Sequence, residues 1–161
     1  MLGLNLDYPL LLSTIIEHAA ANFADTPIVS CSRGETVRTD YRTAAARARR
    51  LGSSLRSLGV ETGGFVGSLA WNTHRHFELF YGASGIGAVL HTANPRLPPD
   101  QIIYTINFTG YRTLFIDADT ILLAEQLAPR LEHIDHFVVM TSREDIPATK
   151  LPNVLCYEDS D

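Results

Sequence analysis

The sequence predicts an α/β fold: a mostly parallel sheet with helices on both faces, preceded by an N-terminal helix and a β-hairpin. Three observations carry that prediction. From residue 40 onward, helical and strand-like patterns alternate, the order that gives parallel strands joined by right-handed helical crossovers. The strand candidates are short apolar runs bounded by turn residues, as strands covered on both faces should be. The composition, 45% hydrophobic and 19% charged over 161 residues, supplies a core for one domain or subdomain spanning 1–161.

The elements follow in order. Leu11, Ile15, Ile16, Ala19, Ala20 and Phe23 recur at three- and four-residue spacing with Glu17 and His18 opposite, so 10–23 is a helix with that apolar face inward. Pro27 opens the strand-like run PIVSCS, and Arg33-Gly34 turns it back into Thr36–Asp40 as a hairpin. Asp40 is the N-cap of a long helix in which Tyr41, Ala44, Ala45, Ala48, Leu51, Leu55 and Leu58 share the apolar face. Its arginines take the other face, and Gly59 ends it.

Gly63-Gly64 leads into the strand FVGSLA, and Asn72-Thr73 caps a helix from His74 to Gly87. There Phe77, Phe80, Tyr81 and Ser84 form one face. Gly82, Ala83, Gly85 and Gly87 remove bulk where a neighbouring element packs closely, which must offset the roughly 1 kcal/mol that an interior glycine costs relative to alanine. The strand AVLHT precedes Asn94–Pro99, a segment that three prolines hold extended. Asp100–Asn107 is a short helix with Ile102, Ile103 and Ile106 inward. The strand TLFID, a helix from Thr120 to Leu131, and the strands HFVVM and NVLCY complete the chain.

Charge narrows the function. A formal net charge of −5 argues against a nucleic-acid binder held by phosphate contacts. Of 13 basic residues the only lysine is Lys150. Arginines concentrate between Arg33 and Arg56, while acids dominate from Phe115 onward. The favoured reading of that asymmetry is two solvated faces; the other is a surface where the two halves meet each other or a partner. Two cysteines, Cys31 and Cys156, make no disulfide framework and read as small apolar residues in strands, which fits a reducing cytoplasm. The N-terminus has no cationic region before its leucines, arguing against a secretory leader. The uncharged stretch 79–95 is too short and too polar to be a transmembrane segment. Neither repeats nor low-complexity tracts occur.

No self-contained active site is legible. The 11 glycines end at Gly110 and none lies near Lys150, so there is no GxxxxGK[ST] loop. Gly82, Gly85 and Gly87 are in the wrong order and place for a dinucleotide fingerprint. His74 and His76, two apart on a helix, cannot chelate one metal; His133 and His136 lack further ligands and look like a surface turn. Asp117 and Asp119 read as caps for the helix from Thr120. No catalytic residue and no metal ligand is assigned.

One stretch is more specific. From Leu58 to Asp117 the chain carries Trp71-Asn72-Thr73 with Glu78 six positions after Asn72, the strand GAVLHT, and Asn94-Pro95-Arg96-Leu97 followed by Ile102 and Tyr104. This resembles the N-terminal portion of the AMP-forming acyl-CoA synthetases of the adenylate-forming superfamily, most closely the bacterial medium- and long-chain fatty-acyl-CoA ligases. The resemblance covers about 10–140 and weakens over 141–161. Gly63-Gly64 stands where the family has Gly-Asp, and Phe108, Thr109 and Gly110 replace a histidine and acids.

The resemblance implies part of an adenylate-forming N-terminal domain. It also implies a two-step reaction in the complete enzyme, where a fatty acid, ATP and Mg2+ give an acyl-adenylate that CoA converts to the thioester. The phosphate loop, the nucleotide-binding motifs and a C-terminal lysine domain that perform it in the family do not occur in these residues. The expectation is therefore an N-terminal fragment of a cytoplasmic fatty-acid–CoA ligase, inactive alone, binding no cofactor itself and meeting fatty acid, ATP and CoA only when complete. The alternative is a stand-alone interaction or oligomerisation module from the same scaffold, self-associating through the subdomain face left exposed; a small flavodoxin-like carrier is a third. Asn94, Pro95 and Arg96, at the C-terminal end of a strand, are expected to support a nucleotide or acyl pocket from behind or to structure their loop. Asn72 is expected to cap the next helix.

Overall fold

The computed structural model describes residues 9–32 and 34–160. The turn residue Arg33 and the stretch 1–8, on which the argument against a leader rests, lie outside the described residues.

The first helix, α1 (Ser13–Asn22), has no side-chain cap and buries only Ile16. Leu11, Ile15 and Phe23, expected inward, are exposed; among the described residues α1 packs mainly along α2 and α3, through its other side. The hairpin forms as expected: β1 (Pro27–Ser32) and β2 (Glu35–Asp40) pair antiparallel, with Pro27 opposite Asp40 and Ser32 opposite Glu35. Asp40 then caps α2 (Tyr41–Ser57), its carboxylate accepting from the Thr43 amide at 2.7 Å. That bond satisfies one of the donors a helix start leaves unpaired. Gly59, at φ +84°, follows the end of α2 in the left-handed conformation that favours glycine.

The sheet contains β3 (Phe65–Leu69), β4 (Val89–Thr92), β5 (Thr113–Ile116), β6 (His136–Val139) and β7 (Val154–Cys156), in the order β4-β3-β5-β6-β7. All four pairings are parallel; Phe65 stands opposite Val89, and Gly67 opposite Leu114. Side chains alternate across the pleat. Leu114 and Ile116 of β5 enter one core with Ile102, Ile103 and Ile106 of α4 (Pro99–Thr109) and Ile121, Ala124 and Leu127 of α5 (Ile121–Leu127). Phe115 points the other way, into a core with Leu51 and Leu55 of α2, Leu79 and Ala83 of α3 (His74–Gly85), and Tyr157. The helix expected over Thr120–Leu131 is divided: single 3-10 turns at Ala118–Thr120 and Ala128–Arg130, the latter containing Pro129, flank α5.

Where α2 crosses α3, glycine is needed on both. A Cβ on Gly82 would come within 3.0 Å of the Ala48 carbonyl oxygen, and one on Gly52 within 3.0 Å of Ile86. This contact sets which side of α3 is buried. Glu78, Leu79, Gly82 and Ala83 face inward, Gly82 and Ala83 at the close approach expected of them, whereas a Cβ on Gly85 would meet nothing within 4 Å. Phe77 and Tyr81 meet edge to face at the border, near Tyr41, and Phe80 is exposed.

Candidate functional site

Parallel strands deliver their following loops to one edge of the sheet, the edge where ligands of such folds bind. Here three loops converge there: 70–73 after β3, 93–97 after β4 and the turn beginning at Asp117 after β5. The β1–β2 hairpin is tied to this edge by a hydrogen bond between Ser30 Oγ and His74 Nδ1 at 3.0 Å. Between the hairpin and the loops after β3 and β4 lies an open cavity of about 740 Å³. Ile28, Val29, Trp71, Phe77 and Phe80 form its apolar wall; His74, His76, Asn72, Asn94 and Arg96 supply its polar atoms.

All four residues singled out from the sequence, Asn72, Asn94, Pro95 and Arg96, line this cavity. Their local geometry differs from expectation in two respects. Asn94–Leu97 is a tight turn rather than an extended segment: Asn94 Oδ1 accepts from the Arg96 amide at 2.9 Å, and the Asn94 carbonyl from the Leu97 amide at 3.2 Å. Proline at the second position of such a turn pre-sets the required φ, and asparagine before it completes the turn through its side chain. Thr73, not Asn72, caps α3, accepting from the His76 amide at 3.4 Å, which leaves Asn72 exposed at the cavity. The Arg96 guanidinium lies 5.3 Å from the Trp71 ring centroid, within the range of a cation–π contact.

His74 and His76 do not converge on one point, as their spacing requires, yet both belong to the site. His74 reaches the hairpin, while His76 Nε2 hydrogen-bonds Ser68 Oγ of β3 at 3.0 Å. Burial lowers the His74 pKa to about 4, with Arg75 and Arg47 adding to the effect and Glu158 opposing it. Burial likewise lowers that of His76. Both imidazoles are thus neutral at neutral pH. The signal for them in the sequence is two histidines in the first turn of a helix immediately following a strand end.

Asp117 departs from its expected capping role. It is 6% exposed, and its Oδ2 accepts a 2.6 Å hydrogen bond from the Trp71 amide across the β3–β5 boundary. The turn that follows is closed by the Asp117 carbonyl, which accepts from the Thr120 amide and hydroxyl; that hydroxyl also reaches the Leu69 carbonyl at 2.8 Å. Burial pushes the Asp117 carboxyl up to about 6; Trp71 opposes this, Asp119 adds to it and Arg75 opposes it. A smaller cavity of about 280 Å³ opens on its other side, bordered by Ser32, Glu35, Arg75, Asp119 and Asp145.

Behind the larger cavity, α2, α3 and the last turn (Tyr157–Ser160) are joined by charged groups. Arg47 Nε donates to Glu78 Oε1 at 3.0 Å and Arg47 Nη2 to Glu158 Oε2 at 2.9 Å; Arg75 Nε donates to Glu158 Oε1 at 2.6 Å, and the Tyr157 hydroxyl to Glu78 Oε2 at 2.8 Å. Glu78 has no exposed surface. Burial raises its pKa against the opposing effects of Tyr157 and Arg47. The arginine-rich and acid-rich halves therefore meet here, and Arg47 leaves the solvated face expected for it. Among the described residues no group of three or more His, Cys, Asp or Glu is placed to hold a metal ion, and no helix is long and apolar enough to cross a membrane.

Comparison with known proteins is consistent along the chain. Residues 16–156 match the family model for AMP-binding enzymes. The 3-methylmercaptopropionyl-CoA ligase of Ruegeria lacuscaerulensis is 42% identical over 160 residues, covering 99% of this chain and 30% of the relative. The long-chain-fatty-acid–CoA ligase of Thermus thermophilus is 42% identical over 139 residues, 86% of this chain and 26% of the relative. A solved structure of a provisionally assigned long-chain-fatty-acid CoA ligase from Rhodopseudomonas palustris superposes with a TM-score of 0.77 at 25% identity, covering 95% of this chain and 36% of that one. The chain thus spans about 30% of the length of the curated relatives it matches.

Proposed function

This chain belongs to the AMP-binding enzyme family, and on that premise we propose that it is the N-terminal portion of an ATP-dependent fatty-acid–CoA ligase, inactive alone. In the complete protein the fatty carboxylate attacks the α-phosphate of ATP, expelling pyrophosphate and forming an acyl-adenylate. The CoA thiol then attacks the acyl carbon and expels AMP.

The observation that supports this reading is the cavity at the C-terminal ends of β3 and β4, within a stretch related to acyl-CoA ligases from end to end. Its Ile28, Val29, Phe77 and Phe80 wall suits an apolar acid better than a polar one. Transfer at a phosphate needs cations and N–H donors aimed at the developing charge. Within this chain the cavity offers one guanidinium, Arg96, and two neutral imidazoles. Lys150 is exposed on the segment leading to β7, and glycine-rich phosphate-binding sequence is lacking. Among the described residues no three or more His, Cys, Asp or Glu side chains are grouped to hold a metal ion. Triphosphate and metal handling are therefore assigned to the remainder of the ligase, and this chain supplies scaffold and cavity wall.

Two experiments test the two parts. The purified chain, given ATP, Mg2+ and medium- or long-chain fatty acids, should release no pyrophosphate; turnover would refute inactivity. Residues 16–156, exchanged for the matched segment of the Thermus thermophilus ligase, should retain fatty-acid-dependent pyrophosphate release. A folded chimera that prefers 3-methylmercaptopropionate over fatty acids would refute the fatty-acid assignment.

A further inference from the structure

The strand order gives this sheet one topological switch point, between β3 and β5, because the connections leaving β3 (to β4) and leaving β5 (to β6) run to opposite sides of it. That crevice is stitched shut by the Asp117–Trp71 and Thr120–Leu69 hydrogen bonds. The larger cavity lies on the β4 side, and Trp71 stands between the two. The Trp71 amide is held from β5 by Asp117, while the Trp71 ring carries Arg96 from the loop after β4. Among the described residues Arg96 has no carboxylate within ion-pair distance, so the indole is what orients its charge.

We propose that Asp117 is a positioning residue for the larger cavity: through the Trp71 amide it fixes the indole, and through the indole it fixes the Arg96 guanidinium at the cavity mouth. A carboxylate suits this task because a charged acceptor makes a shorter and stronger bond to an amide than a neutral one does. The groups that face Asp117 are Asp119 in its own turn, His74 and Arg75 from α3, Glu35 from β2, and Asp145 from the turn after β6. The inference concerns the cavity used in the proposed function, but its readout requires no turnover, so the two can fail separately.

Trp71 is the only tryptophan in the chain, and its emission reports on this loop alone. Asp117→Ala should shift that emission to the red and increase its quenching by iodide, with the far-UV circular dichroism retained. Arg96→Met should alter the emission of the wild-type chain and leave that of the Asp117→Ala chain unchanged. Asp117→Asn, which keeps an acceptor oxygen, should restore the wild-type spectrum while abolishing the pH dependence that protonation of the carboxyl gives the wild type between pH 4.5 and 8. Wild-type emission and quenching in a folded Asp117→Ala chain overturn the proposal. If that variant does not fold, an emission titration of Asp117→Asn that matches the wild type overturns it.

Discussion

The two faces of the sheet are covered by different chemistry. Against α4 and α5, the described core is aliphatic side chains with Phe137 and Tyr111. Against α2 and α3, the apolar core formed by Leu51, Leu55, Leu79 and Phe115 adjoins Glu78, a carboxylate with no exposed surface held by Arg47 and Tyr157. The first face is held by apolar burial, which is non-directional. The second is held partly by ionic hydrogen bonds, whose partners become liabilities as soon as one is removed. The candidate site belongs to the second face: α3 carries both Glu78 on its buried side and the cavity histidines in its first turn.

The largest effect should come from breaking that second face. Arg47→Met leaves Glu78 with Tyr157 alone and should destabilise by about 3–5 kcal/mol, since an uncompensated charge stays buried; denaturant unfolding measures it. Adding Glu78→Leu and Tyr157→Phe should recover most of the loss. A triple variant no more stable than Arg47→Met would show that the network does more than satisfy its own charges.

On the aliphatic face, Leu114→Ala should cost about 3 kcal/mol, and no second substitution at a charged position should restore it. Leu114 is fully buried. Gly67→Ala tests the sheet between the faces, because a Cβ there would sit 2.0 Å from the Tyr111 ring, which is 2% exposed. Overpacking of that kind costs about 1–3 kcal/mol.

The pH dependence separates two groups at the site edge that act in opposite directions. The Asp117 pKa is raised, so the folded chain holds its proton more tightly than the unfolded one. Its contribution favours folding below its ordinary pKa of 3.8 and is lost as the pH rises through about 6. The His74 pKa is depressed, so its contribution is present above 6.5 and is lost as the pH falls through about 4. Thermal melts of Asp117→Asn should therefore show stability falling as the pH is lowered across that window. His74→Asn should show the reverse, with Asp117 contributing about 2–3 kcal/mol in all. Parallel pH profiles for the two variants would contradict this assignment. The smallest effect belongs to the exposed pair of Arg130 and Asp100, at 2.7 Å: Arg130→Ala should change stability by less than about 1 kcal/mol in the same denaturant assay.

The aliphatic face was legible residue by residue. Ile102, Ile103 and Ile106 were expected inward on α4 and are buried there, and TLFID was expected as a strand with cover on both sides. Capping chemistry was legible at Asp40, where the bond is local and reaches three residues ahead. The same rule failed at Asp117, because a carboxylate next to a turn can reach an amide on another strand, and local sequence carries no sign of that amide. Asn94, Pro95, Arg96 and Asn72 were found through a resemblance and prove to share one cavity. His74 and His76 were dismissed as a metal pair and enter the same cavity as neutral imidazoles bonded to Ser30 and Ser68.

By itself the sequence determined the elements, their parallel order and the aliphatic core, since periodicity and turn residues act over a few neighbouring positions. It also carried the family, in the motif from Trp71 to Arg96. Only the tertiary structure decided which partner the glycine side of α3 meets, which arginine of α2 leaves solvent, and what Asp117 holds. Those outcomes depend on a glycine crossing at Gly52 and Gly82 and on hydrogen bonds between residues 31 to 111 positions apart. Such partners are chosen by how the layers stack, because a buried charge or amide must be satisfied by whatever the fold brings within reach.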